Sequence, residues 1–277
     1  MKKILITGGA GFVGSHLVDR LVKDKFKVTV IDNLSSGNIN NLSKSLKKID
    51  FIKIDISNYK KLDKSLKNKK FDYCVHLAAL ADIVPSINYP EDYFKANVEG
   101  TFNILNILKK QKISKIVYAA SSSCYGFPNK FPTDENCMLN PQYPYALTKR
   151  LGEELVEHWG HIYKIPFISL RFFNIYGPRS RTSGTYGAVL GVFLAQKLAK
   201  KPFTVVGNGK QTRDFTYVDD IIEAICSALK SNVENQIFNV GSGNTYSINY
   251  LTKLIGGKKI YIPKRPGEPD CTYADIS

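Results

Sequence analysis

Long apolar runs are missing from this 277-residue chain. No stretch approaches the roughly 18 consecutive apolar residues of a membrane-spanning helix. The N-terminal "MKKILITGG" meets glycine after only "ILI", too short for the core of an export signal. Cysteine is sparse and unpatterned: five residues, at 74, 124, 137, 226 and 271, an odd number at spacings that fit no zinc motif. With nothing pointing to export, reduced thiols in a cytoplasmic protein are the expectation. No cluster of metal ligands is visible, so no metal is expected. Arginine-rich runs and basic strips interleaved with aromatics are also lacking. The net charge of +15 therefore does not announce a nucleic-acid partner, because the lysines scatter through stretches such as "KKLDKSLKNKK" that look like solvated helix faces. A basic background suits a doubly charged diphosphate ligand instead.

What is present is ordinary in bulk, 43% hydrophobic and 23% charged, and long enough for one large α/β domain with a smaller lobe. Short β-branched runs at 2–7, 27–32, 50–56, 73–79, 115–121 and 167–174 alternate with helical patterns at 12–24, 58–68, 91–111 and 145–164. Continuous apolar strands separated by helices predict a parallel sheet buried on both faces, the doubly wound Rossmann architecture. Regularity weakens after residue 175. A Gly/Pro-rich stretch at 176–187 leads to a helix at 187–200, a strand "FTVVG", the loop "NGKQTRD" and a return to the sheet near "QIFNVGSG" (236–243). The expected division is a cofactor domain over 1–175, with a return near 213–243, and a smaller C-terminal substrate lobe from 176–212 and 244–277.

Two motifs carry chemistry. In "ILITGGAGFVGSHL", Gly8, Gly11 and Gly14 follow a strand and open a helix. Gly8 permits the tight turn, Gly11 lets the backbone approach a pyrophosphate and Gly14 lets helix pack on strand, with the helix N-terminus facing the phosphates. Asp32 ends the second strand, where a carboxylate accepts from a ribose 2′-hydroxyl and repels a 2′-phosphate; this favours NAD over NADP. Asp55, with Ile56 after it, ends the third strand, a place to meet the adenine edge. In "YPYALTK", Tyr145 and Lys149 are four apart and share one face of a helix that Pro144 starts well. A free phenol has a pKa near 10. A neighbouring ammonium and a cationic nicotinamide both favour the phenolate that a general base requires.

Together "TGGAGFVG", "HLAA", "AASSSCYG" and "YALTK", in this order, resemble the extended short-chain dehydrogenase/reductases, the nucleotide-sugar epimerases and dehydratases. The later "RFFNIYGP", "GNGKQTRDFTYVDD", "FNVGSG" and "RPGEPD" extend the resemblance over nearly the whole chain, and it is closest to UDP-hexose 4-epimerases, including those acting on N-acetylhexosamines. The resemblance implies a catalytic Ser121 with Tyr145 and Lys149. It places Phe12 and Val13 along the cofactor, and Asn33, Ser35 and Ser36 beside its ribose. Leu77, Ala78 and Ala79 would line the cofactor cleft, Asn97 would be a cofactor-side asparagine, and Phe172 would flank the nicotinamide. For the substrate it implies Ser122 and Ser123, Asn174 and Arg213 at the diphosphate, Arg265 as a second phosphate ligand, and Glu268 at ribose hydroxyls. Thr272 falls at a gate where a small residue admits a C2 N-acetyl group.

Ser123 stands where similar dehydratases and UDP-glucuronate decarboxylases carry a glutamate. The expectation is therefore NAD-dependent C4 epimerisation of a nucleotide sugar through a 4-keto intermediate, with those two activities as alternatives and a non-catalytic NAD-binding sensor as a remote one. By resemblance the protein is also expected to be a homodimer, through helices 91–111 and 145–164. Relatives continue beyond "YADIS" with a helix and a strand, so the small lobe is expected to be short or truncated.

Overall fold

The fold was obtained as a computed structural model that describes residues 1–181, 189–264 and 267–277. Strands β1 (Lys3–Thr7), β2 (Lys27–Asp32), β3 (Asp50–Lys53), β4 (Tyr73–His76), β5 (Lys115–Ser121) and β6 (Phe167–Phe172) form one sheet. Its order is β3-β2-β1-β4-β5-β6, extended at the far edge by β11 (Gln236–Val240), and every pairing is parallel. The order reverses between β1 and β4, so the crevice for a ligand opens there, at the C-terminal ends of the strands.

Alternate residues on each strand point to opposite faces, and both faces are apolar, which is why the strands read as unbroken hydrophobic runs. Ile4, Ile6, Val28 and Val30 pack on one side against Leu17 and Leu21 of α1 (Phe12–Lys23) and Ile221 and Ile225 of α8 (Val218–Lys230). Leu5, Ile31 and Ile116 pack on the other against α2 (Tyr59–Leu66), α5 (Gly100–Leu108) and α6 (Pro144–Tyr163). Each such fully buried side chain contributes about 1.5–3 kcal/mol.

Several expected boundaries move, each for a local reason. The strand expected at 50–56 ends at Lys53, because the Asp55 carboxylate accepts from the N–H and hydroxyl of Ser57 and turns the chain. The strand expected at 73–79 ends at His76, and 77–79 continue as cleft wall. The helix expected at 91–111 is α4 (Pro90–Phe94), a π-helical turn over Lys95–Glu99, and α5. The run 167–174 divides into β6 and β7 (Asn174–Tyr176).

The smaller lobe contains α7 (Val189–Leu198), β8 (Phe203–Val206), β9 (Thr212–Arg213), β10 (Phe215–Tyr217), β12 (Tyr246–Ser247), α9 (Ile248–Ile255) and β13 (Lys259–Ile262). It is built from the pairs β10–β7, β12–β9 and β13–β8 around Phe193, Phe203, Val205 and Leu251. Of the stretch 213–243, only β11 joins the main sheet, while α8 covers it beside α1. Helix α3 (Ile83–Asn88) lies between β4 and α4.

Candidate active site

A cleft of about 1370 Å³ runs from the glycine turn, past the C-terminal end of β5, to the small lobe. At the turn, Gly8 has φ +71°, and a Cβ there would come within 2.7 Å of the Ala78 nitrogen. A Cβ on Gly14 would strike the Gly8 carbonyl oxygen. By contrast, a Cβ on Gly11 would meet only that oxygen, at 3.2 Å, so this side of the turn is open to the cleft. Gly11 caps α1 with no side chain, and no acidic residue lies in the first turn, which leaves the helix N-terminus available to an anion. Phe12, Val13, Ser35, Ser36, Ile56 and Leu77 border the same space, as do Ala78, Ala79 and Phe172.

Asp32 is 7% exposed and doubly tied: one oxygen accepts from Ala10 N–H at 2.9 Å, the other from Leu34 N–H at 2.8 Å. Its carboxylate therefore holds the glycine turn to the end of β2 while it borders the cleft. Asn33 reaches across to Asp55, its amide donating at 2.8 Å. Burial works against ionisation of Asp55, but hydrogen bonds from Ser57 and Asn33 outweigh it and hold the carboxyl below its ordinary range. These residues fit an adenosine diphosphate moiety: an open backbone cradle with a helix N-terminus behind it, the Asp32 carboxylate able to accept from a ribose hydroxyl, and Asp55 bordering the same space.

Midway along the cleft, the Tyr145 phenol donates to the Ser121 hydroxyl at 3.2 Å. Ser121 ends β5, and its hydroxyl also accepts from Ser123 N–H at 3.2 Å, which fixes its direction. Tyr145 sits in the first turn of α6, with Pro144 at the helix start. Lys149, one turn on, is buried; its ammonium donates to the Ala119 carbonyl and lies 4.4 Å from the centre of the Tyr118 ring. Burial lowers Lys149 to about 8. Burial raises the Tyr145 phenol above its ordinary value, against which the Ser121 hydrogen bond acts. Positive charge near Tyr145 is what would bring that phenol back toward neutrality.

The small-lobe wall brings together Asn174, Arg213, Glu268 and Thr272. Asn174 donates to the Thr272 hydroxyl at 2.8 Å and to the Asp214 carbonyl at 3.2 Å. Arg213 donates to the Thr212 carbonyl at 2.8 Å; burial lowers its guanidinium, and the Glu268 charge counters this. Ser122 and Ser123 border the same cleft. Arg265 lies outside the described residues. Among the described residues no group of His, Cys, Asp and Glu could hold a metal ion, and no helix is long and apolar enough to cross a membrane.

The model of the NAD dependent epimerase/dehydratase family matches residues 4–241. The chain belongs to that family. It is 40% identical over 280 residues to a candidate UDP-glucose 4-epimerase of Methanocaldococcus jannaschii, covering 99% of this chain and 90% of the relative. Among solved structures it superposes on UDP-glucose 4-epimerase from Thermotoga maritima, with UDP-glucose, at a TM-score of 0.94 and 32% identity, covering 99% of this chain and 90% of that one. It superposes on UDP-N-acetylglucosamine 4-epimerase from Methanobrevibacter ruminantium, in complex with UDP-N-acetylmuramic acid, at 0.93 and 35% identity, covering 100% and 90%. NAD is the cofactor of this epimerase/dehydratase, and nucleotide sugars are its substrate class.

One expected cofactor residue of this family member is placed differently. Asn97 is 1% exposed, and its amide is spent on the protein: the carbonyl accepts from Leu80 N–H at 2.8 Å, and the nitrogen donates to the Leu80 carbonyl and to Thr148, each at 3.0 Å. It clamps the loop after β4 to α6 from behind the cleft. Sequence reasoning passed over His76, Asp214 and Tyr143. His76, buried and held down to about 3 by burial and the Lys149 charge, links the hydroxyls of Thr7 and Thr101 behind Lys149. The fully buried Asp214 carboxylate gathers Ser242, Gly243 and Ala274 N–H groups, which ties three segments of the small-lobe wall together. Nothing in an isolated sequence marks such hubs, since their partners are distant in the chain.

Proposed function

We propose that the protein interconverts a UDP-sugar and its C4 epimer. The observation that carries this reading is the 3.2 Å hydrogen bond from Tyr145 to Ser121, with Lys149 on the same helix face, in the cleft that begins at the glycine turn. Tyr145 takes the proton of the C4 hydroxyl as general base, and Ser121 bridges that hydroxyl to the phenol. Lys149 supplies positive charge that favours the phenolate and a hydrogen bond for the nicotinamide ribose. NAD, held by the glycine turn and Asp32, would supply the reversible hydride acceptance at C4 that epimerisation through a 4-keto sugar requires. Gly8, Gly11, Gly14, Asp32 and Asp55 would hold the dinucleotide, and Arg213 and Arg265 the diphosphate; Asn174, expected there too, spends both amide N–H groups on Thr272 and the Asp214 carbonyl and instead fixes the wall beside it. Thr272 leaves room for a C2 N-acetyl group, so UDP-hexoses and UDP-N-acetylhexosamines are both in range.

The family also contains dehydratases. Against that reading stands Ser123, a hydroxyl where elimination or a uronate substrate would call for a charged partner. Product NMR separates the two: an epimer of unchanged composition supports the proposal, and loss of water or CO2 overturns it.

The protein is proposed to be a cytoplasmic homodimer. Support comes from an apolar surface on α4, α5 and α6, where Phe94, Phe102, Leu147, Ile162 and Tyr163 are exposed. Light scattering in solution checks the subunit number.

A further inference from the structure

Tyr143, two residues before the general base, is 8% exposed and sits at the cleft. Its backbone is extended, with φ −155° and ψ 162°, because it precedes Pro144 and caps α6. Its ring stacks on that of Tyr145, with centroids 6.3 Å apart and an interplanar angle of 11°. Tyr93 closes the other side of Tyr145 edge-on at 6.4 Å. Gly267 presses on the Tyr143 ring so closely that a Cβ there would come within 2.8 Å of it. The phenol faces the Ser123 hydroxyl and feels the charges of Arg213 and Glu268.

These contacts set one side chain at the cleft beside the general base and within the influence of Arg213 and Glu268. Tyr143, Tyr145 and Arg213 border the same cleft, so a sugar with C4 at Tyr145 and its diphosphate near Arg213 would lie beside Tyr143. A tyrosine offers an apolar ring face and a polar tip, a combination suited to the mixed surface of a pyranose. The ring is held between Tyr145 and Gly267, so a swing to admit a larger sugar would disturb Tyr145 or the backbone at Gly267. We infer that Tyr143 is a specificity-determining residue that contacts the hexose and restricts its size, opposing the room that Thr272 leaves.

This inference rests on the reading of the cleft as a UDP-sugar site. Its test compares wild type, Tyr143→Phe and Tyr143→Leu as NAD-loaded protein. Calorimetry gives Kd for UDP and for UDP-glucose, and steady-state kinetics give KM and kcat for UDP-glucose and UDP-N-acetylglucosamine. Losing the phenol in Tyr143→Phe should raise KM for UDP-glucose about fivefold to tenfold, the effect of one hydrogen-bonded contact. Kd for UDP should stay within twofold. Tyr143→Leu should shift the kcat/KM ratio toward the N-acetylated sugar by about tenfold, the scale of small steric discrimination. The inference is overturned if the ratio is unchanged, or if UDP and UDP-glucose weaken in parallel, as a merely structural role would produce. If wild type turns over neither sugar, the reaction reading fails first; the gap between the UDP and UDP-glucose Kd values still decides whether Tyr143 touches the sugar.

Discussion

The phenol of Tyr145 donates to the hydroxyl of Ser121 across 3.2 Å, joining the first turn of α6 to the last residue of β5. The bond spans two elements that the sheet itself brings together, so the pair is positioned before any ligand arrives. Removing either side should damage chemistry more than binding. Tyr145→Phe should lower kcat by about 10²–10⁴ and Ser121→Ala by about tenfold to a hundredfold, while NAD stays bound. Single-turnover kinetics with a count of bound NAD checks this, and retained turnover in Tyr145→Phe would sink the assignment.

Asp32 tests the cofactor reading. Its carboxylate accepts from Ala10 and Leu34 N–H groups and borders the cleft. Asp32→Asn keeps the shape but turns one acceptor into a donor facing those N–H groups. NAD affinity should fall by about ten- to a hundredfold, and discrimination against NADP should shrink as the negative charge disappears. Fluorescence titration of both cofactors gives the two constants.

The pH dependence should follow Lys149. Burial lowers it to about 8 from the ordinary lysine value of 10.5, so its charge is lost as pH rises through about 8. The alkaline limb of kcat should fall with an apparent pKa near that value, and Lys149→Met should abolish the limb along with most activity. Stability runs the other way: between about 8 and 10.5 the unfolded chain holds a proton that the folded chain lacks, so unfolding becomes less favourable as pH rises. Burial pushes the Cys74 and Cys124 thiols up, which acts with the opposite sign above pH 9, so the Lys149 share is read as the stability difference between wild type and Lys149→Met in urea titrations at pH 7 and 9.5; a difference that does not change between the two pH values would contradict the assignment.

Arg171 and Glu153 form a buried ion pair at 2.6 Å with both side chains nearly inaccessible, and Arg171 also donates to Tyr125 at 3.0 Å. The pair joins β6 to the helix that carries Tyr145 and Lys149. Glu153→Gln leaves the guanidinium buried without its counter-charge and should cost about 3–5 kcal/mol. Chemical denaturation with the NAD content held constant measures it.

The sheet was legible because continuous apolar strands and intervening helices encode a doubly wound order, and β1, β2 and β5 begin and end within a residue or so of expectation. The glycine turn, Asp32 and the Tyr–Lys pair were legible because short-range spacing creates them. What escaped depends on long-range partners. Asn97 reads as a cleft residue until its bonds to Leu80 and Thr148 appear. Asp55 reads as a strand end until Ser57 turns the chain. Nothing in the sequence singles out Lys115, yet its buried ammonium donates to the Ala228, Ser231 and Val233 carbonyls at and just past the end of α8. Tyr143 gave no signal at all, because its contact with Gly267 arises only when the C-terminal segment folds back onto the cleft.

The central claim is the reaction itself. The most direct measurement is proton NMR of a UDP-sugar panel incubated with the NAD-loaded protein. The account predicts conversion to the C4 epimer, approached from either side to the same ratio, with no change in composition and no net release of reduced cofactor. A product lacking water or CO2, or stoichiometric reduced NAD without an epimer, would contradict it.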